Sequence, residues 1–290
     1  MFLGTPETAV PALESLVEAG FDVALVVTAP DKRRGRRSEP TPPAVKAAAL
    51  GLGLAVSHDV ADAATVGADL GVVVAFGQIL RRDLLSVLPM INLHFSLLPR
   101  WRGAAPVERA LMAGDEVTGV CVMGVEEGLD TGAVYARAEL PIRRTATADA
   151  LAGQLAGIGA ALLTRTLRDG LGRPEPQVGE PTYAHKIGPE DLELRWDRSA
   201  EELDRVVRAG GAWTTRGGQR LKVHRSRPWP KDAGAGPVGS LHGDRVTTGG
   251  GTLALLEVQP EGKGRLAFGA WANGARTVDG EILGPGAGAP

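Results

Sequence analysis

Hydrophobic and polar positions follow two different patterns along the first 170 residues. Four runs are β-branched or continuously apolar, as strands buried on both faces are: "DVALVVT", "LGVVVAF", "INLH" and "GVCVMGV". Between them, apolar residues recur three and four positions apart, the helical period, in "PETAVPALESLVEAG", "PPAVKAAALGLG", "RRDLLSVL" and "APVERALMAG". Strands that alternate with helices predict an α/β domain whose Rossmann-like sheet is mostly parallel, with helices on both faces.

The pattern changes after a long helical stretch that ends at Gly170. The next segment, "LGRPEPQVGEPTYAHKIGPED", is rich in Gly, Pro and polar residues and indicates a linker. One more helical stretch, "SAEELDRVVRAG", is then followed by short strands between Gly-rich turns, which predicts a small β-barrel. We therefore divide the chain into an α/β domain (1–173), a linker (174–190) and a β-rich domain (191–290).

Composition limits the function classes. The chain has 290 residues, is 43% hydrophobic and has a net charge of −2, so no global field draws it to nucleic acid or a membrane. The lone Cys121 excludes a disulfide framework and a thiolate metal site. Apolar runs such as "LGVVVAF" are too short for a bilayer and no cleavable signal opens the chain, so we expect a cytoplasmic protein. The strand candidate Met1–Leu3 is short, and we expect either a clipped first strand or a late assigned start.

Familiar cofactor motifs are missing from the sequence. The first turn, "GTPET", lacks the glycine pattern of a dinucleotide site, and no phosphate-binding P-loop is present. The five histidines and the carboxylates show no metal-ligand spacing, so we expect no metal.

Asn92 and His94 are the first candidate functional pair. Residues two apart on a strand point to the same face, and this strand ends in the stiff turn Ser96–Pro99, at an edge where open α/β sheets bind ligands. Histidine can move a proton near neutral pH, and an asparagine amide can donate to an oxyanion. An isolated strand histidine is more often structural, but the pair on one face favours a site.

Asp130 is the third candidate. It lies between Gly128 and Gly132, a pattern that on its own favours an ordinary turn. If this loop lies beside His94, however, Asp130 can hold the imidazole and stabilise its charged form. Asn, His and Asp without a reactive Ser or Cys predict group transfer in which the substrate supplies the nucleophile.

A basic segment, "APDKRRGRRSEPTPP", follows the second predicted strand. It has no apolar periodicity, which fits a solvated loop. Its charge density in a near-neutral chain favours instead an arm that follows phosphates, whose binding would weaken steeply with salt. "HRSRPWP" in the β-rich domain either extends this track or forms a barrel edge.

The stretch "INLHFSLLPRWRGAAPVERAL" closely resembles the signature of the methionyl-tRNA formyltransferases, within the enzymes that use 10-formyltetrahydrofolate. The resemblance continues along nearly the whole chain, in "GTPETAVPALESL", "VVVAFGQIL", "GLDTG", "TYAHKI", "EDLELRW" and "LEVQPEGKGR". Three features depart from the family pattern: the family normally has a few more residues before "FLGTP", Phe95 stands where a small residue is common, and "AGGAWTTRGG" replaces a more Pro-rich stretch.

The resemblance implies specific roles. Asn92, His94 and Asp130 correspond to the family's catalytic trio. The co-substrate 10-formyltetrahydrofolate is expected to contact Ser96, Leu97, Leu98, Pro99, Phe76 and Gly77. The acceptor stem of initiator methionyl-tRNA is expected to contact Lys32, Arg33, Arg34, Gly35, Arg36 and Arg37. The second domain is expected to be an OB-like barrel that helps to hold the tRNA, in a monomeric enzyme with no membrane partner.

Two other hypotheses remain open at this point. The same formyl transfer could act on a small acceptor, such as a sugar nucleotide, glycinamide ribonucleotide or water, although the basic segment and second domain argue against this. Alternatively, a non-catalytic RNA-binding protein would use both domains as scaffolds. The sequence assigns no role to Arg100–Gly103.

Overall fold

The computed structural model describes residues 1–33, 39–78, 80 and 82–284. The chain forms two compact units. Unit 1 comprises Met1–Val107, Val117–Pro141 and Ala150–His185, and unit 2 comprises Glu108–Glu116, Ile142–Asp149 and Lys186–Pro290.

Unit 1 is built around an α/β sheet. The strands are β1 (Phe2–Gly4), β2 (Val26–Val27), β3 (Lys32–Arg33), β4 (Pro40–Thr41), β5 (Val56–Ser57), β6 (Gly71–Val74), β7 (Met90–His94), β8 (Arg102–Gly103), β9 (Val117–Gly124), β10 (Val134–Pro141) and β11 (Tyr183–Ala184). The helices are α1 (Val10–Glu18), α2 (Ala44–Gly51), α3 (Arg82–Val87), α4 (Pro106–Ala113) and α5 (Ala148–Arg168), of which α4 and α5 each cross a boundary between the segments of the two units.

The main sheet has the strand order β10-β9-β7-β6-β1-β2-β5. All pairs from β7 to β5 are parallel, which confirms the mostly parallel Rossmann-like prediction. β9 and β10 differ, because they form an antiparallel hairpin and β9 runs antiparallel to β7. β10 is the edge strand of the sheet, and its residues alternate in burial. This alternation is typical of an antiparallel strand with one face exposed to solvent.

The core strands are shorter than the apolar runs predict. "DVALVVT" contributes only the two residues of β2, because the neighbouring strands β1 and β5 each pair with this run through only two residues. By contrast, all four residues of β6 are buried, as a continuous apolar run between two parallel neighbours requires.

Helix α5 closes unit 1. It begins at Ala148 and ends at Arg168, two residues before Gly170, whose φ of 81° suits a helix end. By length and composition α5 could cross a membrane, but core helices meet the same test, so a single helix of this kind is weak evidence. Leu151, Leu155 and Leu163 are at most 1% exposed, which is typical of a core helix.

Unit 2 is a nearly closed antiparallel barrel with two helices. Its elements are α6 (Ala200–Ala209), β12 (Trp213–Arg216), β13 (Gln219–Trp229), β14 (Ser240–His242), β15 (Arg245–Thr247), β16 (Thr252–Pro260), β17 (Leu266–Ala267), α7 (Phe268–Ala275) and β18 (Glu281–Ile282). The strand order is β12-β13-β16-β15-β14-β18, with β17 paired to β16. The two edge strands approach each other, since the N–H of Gly284 donates to the Thr215 carbonyl and Arg216 pairs with Glu281 at 3.0 Å. The barrel-like fold confirms the prediction, whereas α7 was not predicted.

Candidate active site

Asn92 and His94 both lie on β7, the strand where the parallel and antiparallel parts of the sheet meet. Asn92 pairs with Val73 of β6 on one side, and His94 pairs with Cys121 of β9 on the other. Their spacing of two residues places both side chains on one face of the sheet. Asn92 is half-buried and His94 is 6% exposed.

The loop between β9 and β10 brings Asp130 to this pair. Because β9 is antiparallel to β7, its last residue, Gly124, lies opposite Ile91, and the loop must fold back to reach His94. Gly132 permits the fold, since a Cβ there would overlap the Gly124 carbonyl. Asp130 itself has a φ of 51°, a left-handed conformation that Asp tolerates better than most residues.

The three predicted side chains meet in unit 1. Asn92 Nδ2 donates to Asp130 Oδ1 over 3.5 Å, and His94 Nδ1 lies 3.7 Å from Asp130 Oδ2. The Asp130 carboxylate is 15% exposed, so this charge is largely screened from solvent. The same Oδ2 accepts the Gly103 N–H at 2.8 Å. The carboxylate is thus held between an amide, a backbone N–H and an imidazole.

The second nitrogen of His94 defines how the ring is held. His94 Nε2 lies 2.9 Å from the Trp101 carbonyl oxygen, which can only accept, so Nε2 carries a hydrogen. The other ring nitrogen, Nδ1, is the one that faces Asp130. Protonation at Nδ1 would create an imidazolium beside a carboxylate.

Residues 96–103 form the rigid turn that supplies these backbone contacts. Ser96 Oγ donates to the Arg100 carbonyl at 2.6 Å, and the Arg100 N–H donates to the Leu97 carbonyl at 3.1 Å. The Leu98–Pro99 peptide bond is cis, and Trp101 has a φ of 62°. The last two residues of the turn form β8, which pairs in parallel with β11. Arg100–Gly103, which the sequence leaves unassigned, therefore hold His94 and Asp130.

Sequence reasoning missed Gln177. This side chain contacts Arg102 and the Asp130 loop, yet it lies in the segment predicted as a linker. Thr182 in the same segment accepts the Trp101 N–H through its Oγ1 at 2.9 Å. Gly- and Pro-rich composition carries no periodicity that marks such contacts. The predicted boundaries of the linker and the two domains stay predictions.

The predicted folate residues have structural partners in the protein. Ser96 is fully buried, and Leu98 packs with Cys121, Met123 and Val134. Leu97 and Pro99 are half-buried. Phe76 is 5% exposed and belongs to an apolar core of unit 1, while Gly77 is exposed with a φ of 74°. Contact of these residues with a folate stays a prediction.

The predicted tRNA segment is only partly described. Lys32 and Arg33 form β3, are exposed, and pair with β4 in a short antiparallel ladder. Beside it, Lys46 Nζ forms an ion pair with Asp31 at 2.6 Å. Arg34, Gly35, Arg36 and Arg37 lie outside the described residues. Among residues 1–33, 39–78, 80 and 82–284, no group of three or more His, Cys, Asp or Glu side chains is arranged for a metal ion.

Known proteins match both parts of the chain. Residues 1–167 match the formyl transferase family and residues 186–276 match the formyl transferase C-terminal domain. A methionyl-tRNA formyltransferase from Symbiobacterium thermophilum is 42% identical, covering 98% of this chain and 95% of the relative. A second, from Ruegeria pomeroyi, is 43% identical, covering 91% of this chain and 92% of the relative.

A solved structure is similar in fold. It is an N-formyltransferase from Helicobacter canadensis in complex with folinic acid and dTDP-3-aminofucose, with a TM-score of 0.67 and 16% identity. The match covers 88% of this chain and 97% of that one. The near full-length similarity to the sequence relatives, over both family regions, shows that the chain belongs to the methionyl-tRNA formyltransferases of the formyl transferase family.

Proposed function

We propose that this chain transfers a formyl group from 10-formyltetrahydrofolate to the α-amine of methionine carried on initiator tRNA. The observation that carries the proposal is the meeting of Asn92, His94 and Asp130 in one largely buried cluster. An amide donor, an imidazole and a carboxylate are the groups that acyl transfer to an amine requires.

The neighbouring side chains that could act as protein nucleophiles are both unsuited to that role. Ser96 is fully buried and its Oγ is committed to the Arg100 carbonyl. Cys121 lies opposite His94 in the sheet, but burial raises the pKa of its thiol, which disfavours the reactive thiolate. Direct attack by the amine of the acceptor is therefore the simplest route.

Each residue of the trio has a distinct task in this mechanism. Asn92 Nδ2 donates a hydrogen bond to the formyl oxygen as negative charge develops there, an interaction typically worth about 3 kcal/mol. Nδ1 of His94 takes up the proton that the attacking amine loses. The ring then gives a proton to the folate nitrogen from which the formyl group departs. Asp130 lies 3.7 Å from Nδ1 and stabilises the imidazolium form once Nδ1 is protonated. The new C–N bond thus replaces the old one with no net gain or loss of protons by the enzyme.

The folate co-substrate is supported by the family and by a related structure. The N-formyltransferase of similar fold was solved with folinic acid, a formylated folate. In this chain the turn 96–99 and residues 76–77 are the proposed contacts. Since Ser96 and Phe76 have buried side chains, these two residues would contact the folate through their backbone. The half-buried Leu97 and Pro99 would contribute their side chains.

Unit 2 carries a surface suited to RNA. On β13, the side chains of Arg220, Lys222, Arg225 and Arg227 are exposed, and we call them the β13 basic face. Exposure shifts from even to odd positions at a β-bulge near Arg225, which keeps the charged side chains on one side of the strand.

Aromatic rings flank this face at both ends. The Arg220 guanidinium stacks over Trp213 at 4.1 Å, beside a pocket of about 520 Å³. At the other end Arg245 stacks over Trp229, 4.3 Å from its ring centroid. Cations interleaved with aromatic rings suit a polyanion with stacked bases, so we assign tRNA binding in part to this face.

The acceptor is the decisive experimental variable. Purified protein is incubated with labelled 10-formyltetrahydrofolate and, in separate reactions, with charged initiator methionyl-tRNA, a dTDP-amino sugar, glycinamide ribonucleotide or buffer alone. We expect labelled formylmethionine on the tRNA and background label elsewhere. Transfer to a small acceptor with none to the tRNA would contradict the proposal, and folate turnover in buffer alone would indicate water as the acceptor.

A further inference from the structure

Gln177 uses every hydrogen-bonding group of its side-chain amide. Nε2 donates to the carbonyl oxygens of Asp130 and Gly132, both at 2.8 Å. Oε1 accepts from Arg102 twice, from Nε at 3.0 Å and from Nη2 at 2.7 Å. An amide has two N–H donors and two acceptor lone pairs, so all four are satisfied.

The Asp130 end of these contacts needs a restraint. Asp130 has a φ of 51°, a left-handed conformation that costs a non-glycine residue free energy even where Asp tolerates it, so contacts that hold the loop help to maintain it. The two carbonyls that Gln177 holds belong to the peptide unit that directly follows Asp130 and to the one that follows Gly132. Their fixation determines where the carboxylate points, and hence its distance to His94.

Arg102, the other partner of Gln177, is connected to the Asp130 carboxylate through its neighbours in the chain. Arg102 lies between Trp101, whose carbonyl accepts from His94, and Gly103, whose N–H donates to Asp130. A shift of Arg102 would therefore move both backbone contacts. Gln177 joins this segment to the Asp130 loop through one side chain.

Gln177 is itself firmly placed. Glu175 and Val134 exchange two backbone hydrogen bonds, each of 2.8 Å, and the Thr182 N–H donates to the Pro99 carbonyl at 3.3 Å. Residues 175, 176, 178, 179 and 180 are exposed, whereas Gln177 is half-buried. The one inward-facing residue of this stretch is thus anchored on both sides.

We propose that Gln177 is a positioning residue for formyl transfer, which sets Asp130 against His94 by clamping the loop 130–132 to Arg102. The inference rests on the proposed function for its kinetic readout. The Gln177 side chain bonds to Arg102 and to the carbonyls of Asp130 and Gly132, so it acts through the Asp130 loop and the turn 101–103.

The kinetic test compares three variants with the wild type. Gln177→Met removes all four hydrogen bonds, and Gln177→Glu keeps the contacts with Arg102 but loses both donations to the carbonyls. We expect kcat to fall by about tenfold to a hundredfold in both, as for a displacement on the order of 1 Å, with KM for both substrates nearly unchanged. Gln154→Met, at an exposed position on α5, is the matched control and should behave as the wild type.

A second readout does not depend on activity. Because the Gly103 N–H donates to Asp130, its hydrogen exchange reports the clamp directly. We expect faster exchange at Gly103 in Gln177→Met and Gln177→Glu, with thermal unfolding close to that of Gln154→Met.

The outcomes separate the two proposals. If the wild type formylates no tRNA, the proposed function fails, and exchange at Gly103 still tests the clamp. If the wild type is active but Gln177→Met keeps kcat within about twofold, or Gly103 exchange is unchanged, the positioning role is wrong. A wild-type rate for Gln177→Glu alone would overturn the clamp on the Asp130 loop.

Discussion

At the scale of single residues, the two nitrogens of His94 have different neighbours and therefore different tasks. Nε2 is fixed by the Trp101 carbonyl, while Nδ1 faces the Asp130 carboxylate. A backbone carbonyl that fixes one nitrogen leaves the other free to exchange a proton without rotation of the ring. In the proposed mechanism, proton transfer would therefore take place at Nδ1, beside the Asp130 carboxylate.

Cys121 shows how a reactive residue type beside the site can be inert. The thiol is fully buried, and burial raises its pKa, an effect larger than the opposing hydrogen bond from the Leu98 backbone. We predict that native protein reacts with iodoacetamide far more slowly than the denatured chain at pH 8, because both access and thiolate population are reduced. Mass spectrometry of alkylated protein measures this, and native labelling as fast as in the denatured chain would disprove it.

The site residues differ in how far the sequence predicts them. The placement of Asn92 and His94 on one face follows from strand alternation, whereas the family resemblance is needed to single out Asp130, because Gly-flanked Asp in a turn is common. Trp101 and Gly103 contact the site through their backbone, and such contacts cannot be predicted from the type of the residue. Gln177 is far away in sequence and has no periodic pattern around it, so only the folded chain reveals it.

At the scale of elements, α6 was predicted well because its start and its buried face are both local. Ser199 and Glu202 form a reciprocal cap: Ser199 Oγ accepts the Glu202 N–H at 3.3 Å, and Glu202 Oε2 accepts the Ser199 N–H at 3.0 Å. Leu203, Val206 and Val207 then recur at helical spacing and are buried.

Removal of this cap should destabilise unit 2. We predict that Ser199→Ala lowers the free energy of unfolding by about 1 kcal/mol, while Ser199→Thr, which keeps a hydroxyl, costs less. Urea unfolding followed by tryptophan fluorescence measures the loss, and four of the five tryptophans lie in unit 2: Trp196, Trp213, Trp229 and Trp271. An unchanged midpoint would show that the cap contributes nothing.

The loss should also depend on pH. Hydrogen bonds from Ser199 lower the pKa of Glu202, so the ionised carboxylate stabilises the fold at and above the ordinary glutamate pKa. This stabilisation is lost as the pH falls through the lowered pKa. The difference between Ser199→Ala and wild type should therefore shrink in acid, and a constant difference would contradict the assignment.

Elements whose geometry depends on distant partners were predicted less well. The apolar run around β2 was longer than the strand, because the partners β1 and β5 set its length. The antiparallel direction of β9 has no local signal, since a buried apolar run reads the same in either orientation. That direction matters for the site, because it makes the Asp130 loop fold back toward His94.

At the scale of the whole molecule, the chain has two compact units and two family regions. Most of unit 1 lies in the first region, which also contains the segments Glu108–Glu116 and Ile142–Asp149 of unit 2. The change from helix–strand alternation to short strands with Gly-rich turns predicted both fold types. The net charge of −2 gives no sign of the basic face on unit 2, and the sequence indicated only part of it, in "HRSRPWP", without deciding between a phosphate track and a barrel edge.

The proposed contact between the β13 basic face and tRNA can be measured. We predict that Lys222→Ala and Arg227→Ala each weaken tRNA binding and reduce the slope of log affinity against log salt by about 1, as expected when one phosphate contact is lost. Arg195→Ala is the control, because the Arg195 guanidinium pairs with Asp197 at 3.4 Å. Filter binding over a series of salt concentrations gives the slopes, and slopes equal to the wild type would exclude these residues from the RNA interface.

The central claim is that Asn92, His94 and Asp130 perform the transfer itself, and single-turnover formylation by His94→Ala tests it most directly. Excess enzyme is mixed with charged initiator tRNA and 10-formyltetrahydrofolate, and tRNA binding is measured in parallel. We predict a rate lower by at least about a hundredfold, the usual contribution of a positioned acid–base group, with tRNA affinity nearly unchanged. A rate close to the wild type in a folded variant that binds tRNA would contradict the account.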